Sequence, residues 1–205
     1  GCFYVSSSEL QIANVYAREA NSKRGGMFFL TRNSGLVASR SHFHDSSADL
    51  FGGFAVVQDS RLHMNDCNIL RSHAVEGGGT FLIENKSMIN FRKCFISNST
   101  SHYGGTFMIK GNSANIESTP VSLIKHTMAI YGGGIAAYDV ENVSISGFHF
   151  RGCIGDFGGG LYFRNADSNI SNLVFSDCHA IFDGGLMFAL HSNITAQFLE
   201  GYNIA

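Results

Sequence analysis

The sequence predicts an all-β chain wound as a right-handed parallel β-helix of about eight coils, each about 26 residues long. Three observations carry this. Gly-Gly recurs through the whole chain, with its second glycine at Gly26, Gly53, Gly79, Gly105, Gly134, Gly160 and Gly185, at intervals of 27, 26, 26, 29, 26 and 25 residues. Within each repeat the apolar and small residues alternate with a period of two, and nothing repeats at 3.6. No helical stretch separates the short strands, so a βαβ unit is excluded. A β-sandwich does not require identical columns at constant period, and a propeller blade is longer than this repeat. The right hand follows from the general preference of parallel crossovers.

The elements follow in order within each coil. Ten residues before the second glycine stand Tyr16, Phe43, Ile69, Phe95, Ile124, Phe150 and Phe175, which should stack as one interior column. Seven before it stand Glu19, Ser46, Ser72, Asn98, Thr127, Cys153 and Cys178; twelve before it the better copies carry Cys67, Phe148 and Leu173. Gly-Gly itself reads as a tight corner that excludes side chains. After it comes a short apolar strand (MFFL, FAVV, TFLI, TFMI, IAAY, LYF, LMFAL), and then a polar turn such as QDSR or ENKS. That makes two or three strands per coil. The longest interval contains the one proline, Pro120, and should carry a bulged loop there.

The best copies, residues 95–109 and 175–188, pair an F-x-x-N-like box with a Gly-Gly-apolar box. Phe95-Ile96-Ser97-Asn98 followed by Gly104-Gly105-Thr106 resembles the polymorphic outer-membrane protein type repeat of chlamydial surface proteins and of large protist surface proteins. That resemblance covers nearly the whole chain. It implies a right-handed β-helix displayed at a cell surface, with adhesive roles. Elsewhere the asparagine slot holds Ser46, Ser72, Thr127, Cys153 or Cys178.

Bulk properties narrow the function classes. The unbroken repeat makes residues 1–205 a single unit, and 44% hydrophobic content is ample for a core. A formal charge of −2 gives no electrostatic footprint for nucleic acid, and no apolar run approaches a membrane-spanning length. Residues 1–5 align with residues 105–109, so the repeat is already under way at the first residue. The expectation is a segment of a longer chain, or a unit that stacks end to end into a filament, since open coil ends are otherwise a hazard.

Candidate sites are few. His42 and His44 fall on one strand face with Asp45 beside them, but a zinc site wants a third convergent ligand and none is evident. The carboxylates are scattered and nominate no catalytic pair. No cofactor or metal is expected. Cys153 and Cys178 hold the same slot in successive coils, and Cys67 and Cys94 are nearly in register. Side chains stacked on parallel strands point the same way, which favours buried thiols over disulfides without closing the question. Five N-x-S/T sequons occur; Asn85, Asn142, Asn169 and Asn193 fall in the turn after the Gly-Gly strand and should line one edge of the rod, carrying N-glycans if the chain is secreted by a eukaryote. The fifth, Asn98, falls in an inward column.

The strand after Gly-Gly is apolar on both faces. Arg164 indicates that the second and fourth positions after the glycine point outward, which would make Phe3, Phe28, Phe81, Phe107, Tyr162 and Met187 an exposed stripe for a partner protein or a second copy. Together these readings describe a structural or adhesive extracellular module without catalytic activity, located outside the cell or at its surface. The alternatives are the passenger of a bacterial autotransporter-type adhesin, or a carbohydrate-active β-helix enzyme.

Overall fold

A computed structural model describes residues 2–205 as a parallel β-solenoid of about eight turns with no helix. The coil that begins at Phe28 shows the plan: four strands, Phe28–Thr31, Gly35–Ser39, His42–His44 and Ser47–Phe51, form its first to fourth faces. This is one or two more than the repeat suggested, because the segments after the polar turn and before Gly-Gly also pair between coils. Each strand lies parallel to its equivalent in the next coil: Phe28 beside Ala55, Gly35 beside Arg61, His42 beside Asn68, Ser47 beside His73. In later coils pairing continues around the corners, and Phe107–Lys125, Ile135–Arg151 and Leu161–Ser176 run as long bent strands.

The corners are made by single residues with positive φ. Asp45, Arg71, Asn98, His126 and Asp177 turn the chain between the third and fourth faces, each with φ between 51° and 56°. Asn and Asp tolerate this conformation through local hydrogen bonding. At the Gly-Gly corner the first glycine has φ of 63–71°, and a Cβ there would meet the carbonyl of the residue three further on. The second glycine packs against the carbonyl of its counterpart in the next coil, so no side chain fits there either.

That stacking corrects the repeat register. In two of the three triple-glycine runs, 132–134 and 158–160, Gly133 and Gly159 hold the corner place, not Gly134 and Gly160, whereas in 77–79 it is Gly79 as counted. The true intervals from Gly26 are therefore 27, 26, 26, 28, 26 and 26 residues. The fourth face absorbs one-residue slips as well, between Ser22 and Arg24 and between Gly155 and Phe157. Counting back from a glycine thus crosses an irregularity in some coils and not in others, and a slip of one residue exchanges inside for outside.

The interior column is Ala17, Phe43, Ile69, Ile96, Ile124, Phe150 and Phe175. Phe95 is not in it. Phe95 pairs with Asn68 and Leu123, stands half-buried on the outside, and has the Lys125 ammonium over its ring. Tyr16, likewise, is exposed, and Ala17 takes the inward place. Asn98 is exposed at its corner, and Ser99 takes the buried slot assigned to it by counting. Other columns stand as read: Cys67 and Cys94 share one with Ser122, Phe148 and Leu173. The bulge near Pro120 is present as a register shift between Glu117 and Ser122.

Aromatic rings fill the centre, with Phe81 stacked on Phe107 at 5.4 Å and Phe150 on Phe175 at 5.0 Å. Short polar side chains tie the corners: the Ser34 N–H donates to Ser60 Oγ, and the Cys94 N–H to Ser122 Oγ at 3.0 Å. These bonds satisfy backbone groups that the turns leave without ladder partners.

Candidate functional site

The outward residues Val56 and Leu82 of the first face are fully buried, and Tyr131 and Phe157 before Gly-Gly pack on that face, so the end of the fourth face and the start of the first meet in a re-entrant corner. A cleft therefore runs along the rod. Its near wall is the residue just before Gly-Gly in each coil: Phe51, Gly77, Tyr103, Tyr131 and Phe157 follow one another by parallel bridges. Its far wall is the outward column of the first face: Phe29, Val56, Leu82, Met108, Ala136, Tyr162 and Phe188. The rings of Tyr103, Tyr131 and Phe157 stack at 4.9 and 5.6 Å, nearly parallel. Across the cleft Tyr131 meets Tyr162 at 5.0 Å, and Phe157 meets Phe188 at 5.6 Å.

This arrangement overturns the stripe read from the sequence. Phe28, Phe81 and Phe107 are fully buried, pointing into the core. Phe3 continues their inward column at the first coil, stacked on Phe28 at 5.2 Å, and Met187 lies half-buried at its other end. Only Tyr162 belongs to the outward column, and it is buried there; of the six, only Phe3, at the open first coil, is exposed. The reason for the reversal is the triple glycine: Arg164 does point outward, but counting from Gly160 instead of Gly159 transfers its parity wrongly to every coil except the one counted from Gly134. The outward column is itself largely covered, since the ring wall before Gly-Gly leans over it and forms a second apolar cluster of Val56, Leu82 and Met108.

The rim of the first face carries charge. Glu84 accepts from Arg24 Nη2 at 2.8 Å and from Lys110 Nζ at 3.0 Å, and the Lys110 ammonium sits 4.5 Å above the Phe51 ring. Where the near wall has Gly77 instead of a ring, Met108 fills the space. Just beyond it the cleft widens into an open cavity of about 600 Å³ lined by Gln58, Glu84, Asn85, Tyr103, Met108, Lys110, Gly111, Tyr138 and Asp139. Tyr103 and Tyr138 meet edge-on at 4.8 Å and 83° as two of its walls. The Tyr138 hydroxyl is buried with no hydrogen-bond partner, and burial, then the neighbouring tyrosines, pushes its phenol well above the ordinary value.

The remaining sequence candidates do not converge. His42 and His44 share a strand face, with Phe43 buried between them. His42 bonds Asn68, while both Asp45 oxygens accept from Arg71 at 2.6 and 2.9 Å. That bond holds the Asp45 carboxyl below its usual range. Among the described residues no group of three or more His, Cys, Asp or Glu is placed to hold a metal. Cys67, Cys94, Cys153 and Cys178 are buried free thiols and Cys2 is exposed. Hydrogen bonds within each stacked pair, together with burial, push the Cys94 and Cys153 thiols well up.

The sequons occupy three neighbouring columns rather than one edge line. Asn85 is half-buried at the corner after the first face, donating to Asp59 Oδ2 at 3.2 Å. Asn142 and Asn193 follow that corner, and Asn169 is two residues into the second face; all three are exposed.

The ring wall escaped the sequence reading although it leaves a plain signal: an aromatic directly before Gly-Gly at Phe51, Tyr103, Tyr131 and Phe157. Comparison adds no identity. No family model, curated protein or solved structure matches this chain.

Proposed function

We propose that the chain is a structural or adhesive extracellular module without catalytic activity, a stiff rod that presents binding surface along its length. One observation carries the reading: Tyr103, Tyr131 and Phe157 stand at backbone-locked positions in three consecutive coils and stack into one aromatic wall. Rigid placement of aromatic side chains suits recognition, because little conformational entropy is lost on contact. Exposed Asn142, Asn169 and Asn193 support N-glycosylation on the adjoining face.

The test has two arms. Native protein in intact cells is expected to be labelled by a membrane-impermeant biotin reagent; a chain shielded from it contradicts the location. Purified chain incubated with soluble polysaccharides is expected to release no new reducing ends, and release above a heat-denatured control contradicts the non-enzymatic part.

A second reading, a carbohydrate-active enzyme, draws on one feature: the carboxylates of Glu84 and Asp139 line the same cavity. Both Glu84 oxygens are engaged by Arg24 and Lys110, which favours a binding site over a proton-transferring pair.

A further inference from the structure

We infer that the widened cavity around Gly111 is a binding site for a neutral saccharide. The inference rests on the reading of the chain as a binding module and names the ligand chemistry of that same cleft. Its volume, about 600 Å³, lies within the range of small-molecule sites. Tyr103 and Tyr138, meeting at 83°, offer an apolar corner against which the C–H face of a sugar ring packs.

The mouth supplies both hydrogen-bonding roles that sugar hydroxyls need. Along this corner of the rod amide–carboxylate bonds tie the coils on either side of Gly111, with Asn85 donating to Asp59 and Asn165 donating to Asp139 at 2.8 Å. Gly111 has no side chain to join them. Asn85 and Asp139 therefore flank a coil with no side chain between them, with acceptor capacity left on both. The Gln58 amide in the same lining adds N–H donors.

Charge selects against acidic ligands. The Lys110 and Arg24 cations share the single Glu84 carboxylate, and with the exposed Asp139 carboxylate the four charges cancel, leaving no net cation for an acidic ligand. A peptide is disfavoured as well, because the strand edges beside the cavity are consumed by coil-to-coil pairing and offer no ladder for β-augmentation.

Titration calorimetry with cellotriose, chitotriose and mannotriose, and with trigalacturonate as the anionic comparison, tests this. At least one neutral trisaccharide is expected to bind with a dissociation constant of about 1 mM or tighter. Tyr103→Ala and Asp139→Asn should each weaken that binding about tenfold or more, while Glu117→Gln on the second face leaves it unchanged. Asp139→Asn keeps the fold testable should Tyr103→Ala fail, since asparagine accepts the positive φ of that corner. The inference is overturned if no neutral sugar binds at about 10 mM, if only trigalacturonate binds, or if Asp139→Asn binds as tightly as the wild type. Cleavage of a bound sugar would keep the site and overturn the non-enzymatic reading; absence of binding would remove the site and leave the structural module standing.

Discussion

Substituting Phe95 and Ile96 in parallel separates the two registers of the fourth Gly-Gly repeat. Counting from Gly105 puts Phe95 in the core; the strand pairing puts Ile96 there, fully buried between Ile69 and Ile124. Ile96→Ala removes three carbons from a closed interior, about 2.4 kcal/mol of transfer free energy at about 0.8 kcal/mol per carbon. The cavity left behind raises the cost to about 3–4 kcal/mol, because a coil fixed by ladders on both sides relaxes little. Phe95→Ala removes a larger side chain, but one that is half-buried on the outer surface, with a cation near its ring. Its loss should cost about 1–1.5 kcal/mol. The difference of about 2 kcal/mol corresponds to about 4–8 °C in melting midpoint for a chain of this size. Thermal and urea denaturation followed by circular dichroism measure it. The register is refuted if Phe95→Ala is the more destabilising of the two.

Three further outcomes are expected. Gly78→Ala forces a Cβ onto the Phe81 carbonyl at φ of +64° and should lower stability by about 1–3 kcal/mol in urea melts, whereas Asp59→Gly at a corner of similar φ should change it by less. The Arg71–Asp45 pair should show in pH dependence: because Asp45 is depressed when folded, its contribution is fully present above the unfolded carboxyl value and fades as pH falls through the folded one. Carboxyl carbon shifts in NMR should place the Asp45 midpoint below about 3.8 in the wild type and return it towards that value in Arg71→Ala. Tyr138→Phe deletes a buried hydroxyl without a partner, so unfolding midpoints should stay level or rise by about 1 kcal/mol in stability; a clear loss would mean that the hydroxyl is hydrogen-bonded.

The winding was legible in the sequence because the glycine corner tolerates no substitute: positive φ and a facing carbonyl leave the same letters in every coil. Columns beside αL corners were nearly as readable, as the match of Cys67 with Phe148 and Leu173, or of Cys153 with Cys178, shows. Inside and outside were not. The slips on the fourth face and the extra glycine in 132–134 and 158–160 each move the count by one, and in a two-residue period one is enough to place Phe95 and Asn98 inward and Phe81 outward. The cleft was hidden for a different reason. Alternation separates buried from exposed only on a convex surface, and the re-entrant corner buries the outward residues Val56 and Leu82 completely. The aromatics before Gly-Gly were visible as letters, but nothing in a linear pattern says that a corner folds inward.

Distances between spin labels along one column test the winding itself. Glu9, Asn115 and Thr195 occupy one column on the second face, with Asn115 four coils and Thr195 seven coils from Glu9. At about 4.8 Å per coil, pulsed electron resonance on the two doubly labelled cysteine variants should give separations of about 19 Å and about 34 Å. Equal separations, or a shorter one for the pair further apart in sequence, would mean that the chain folds back on itself and is not a solenoid.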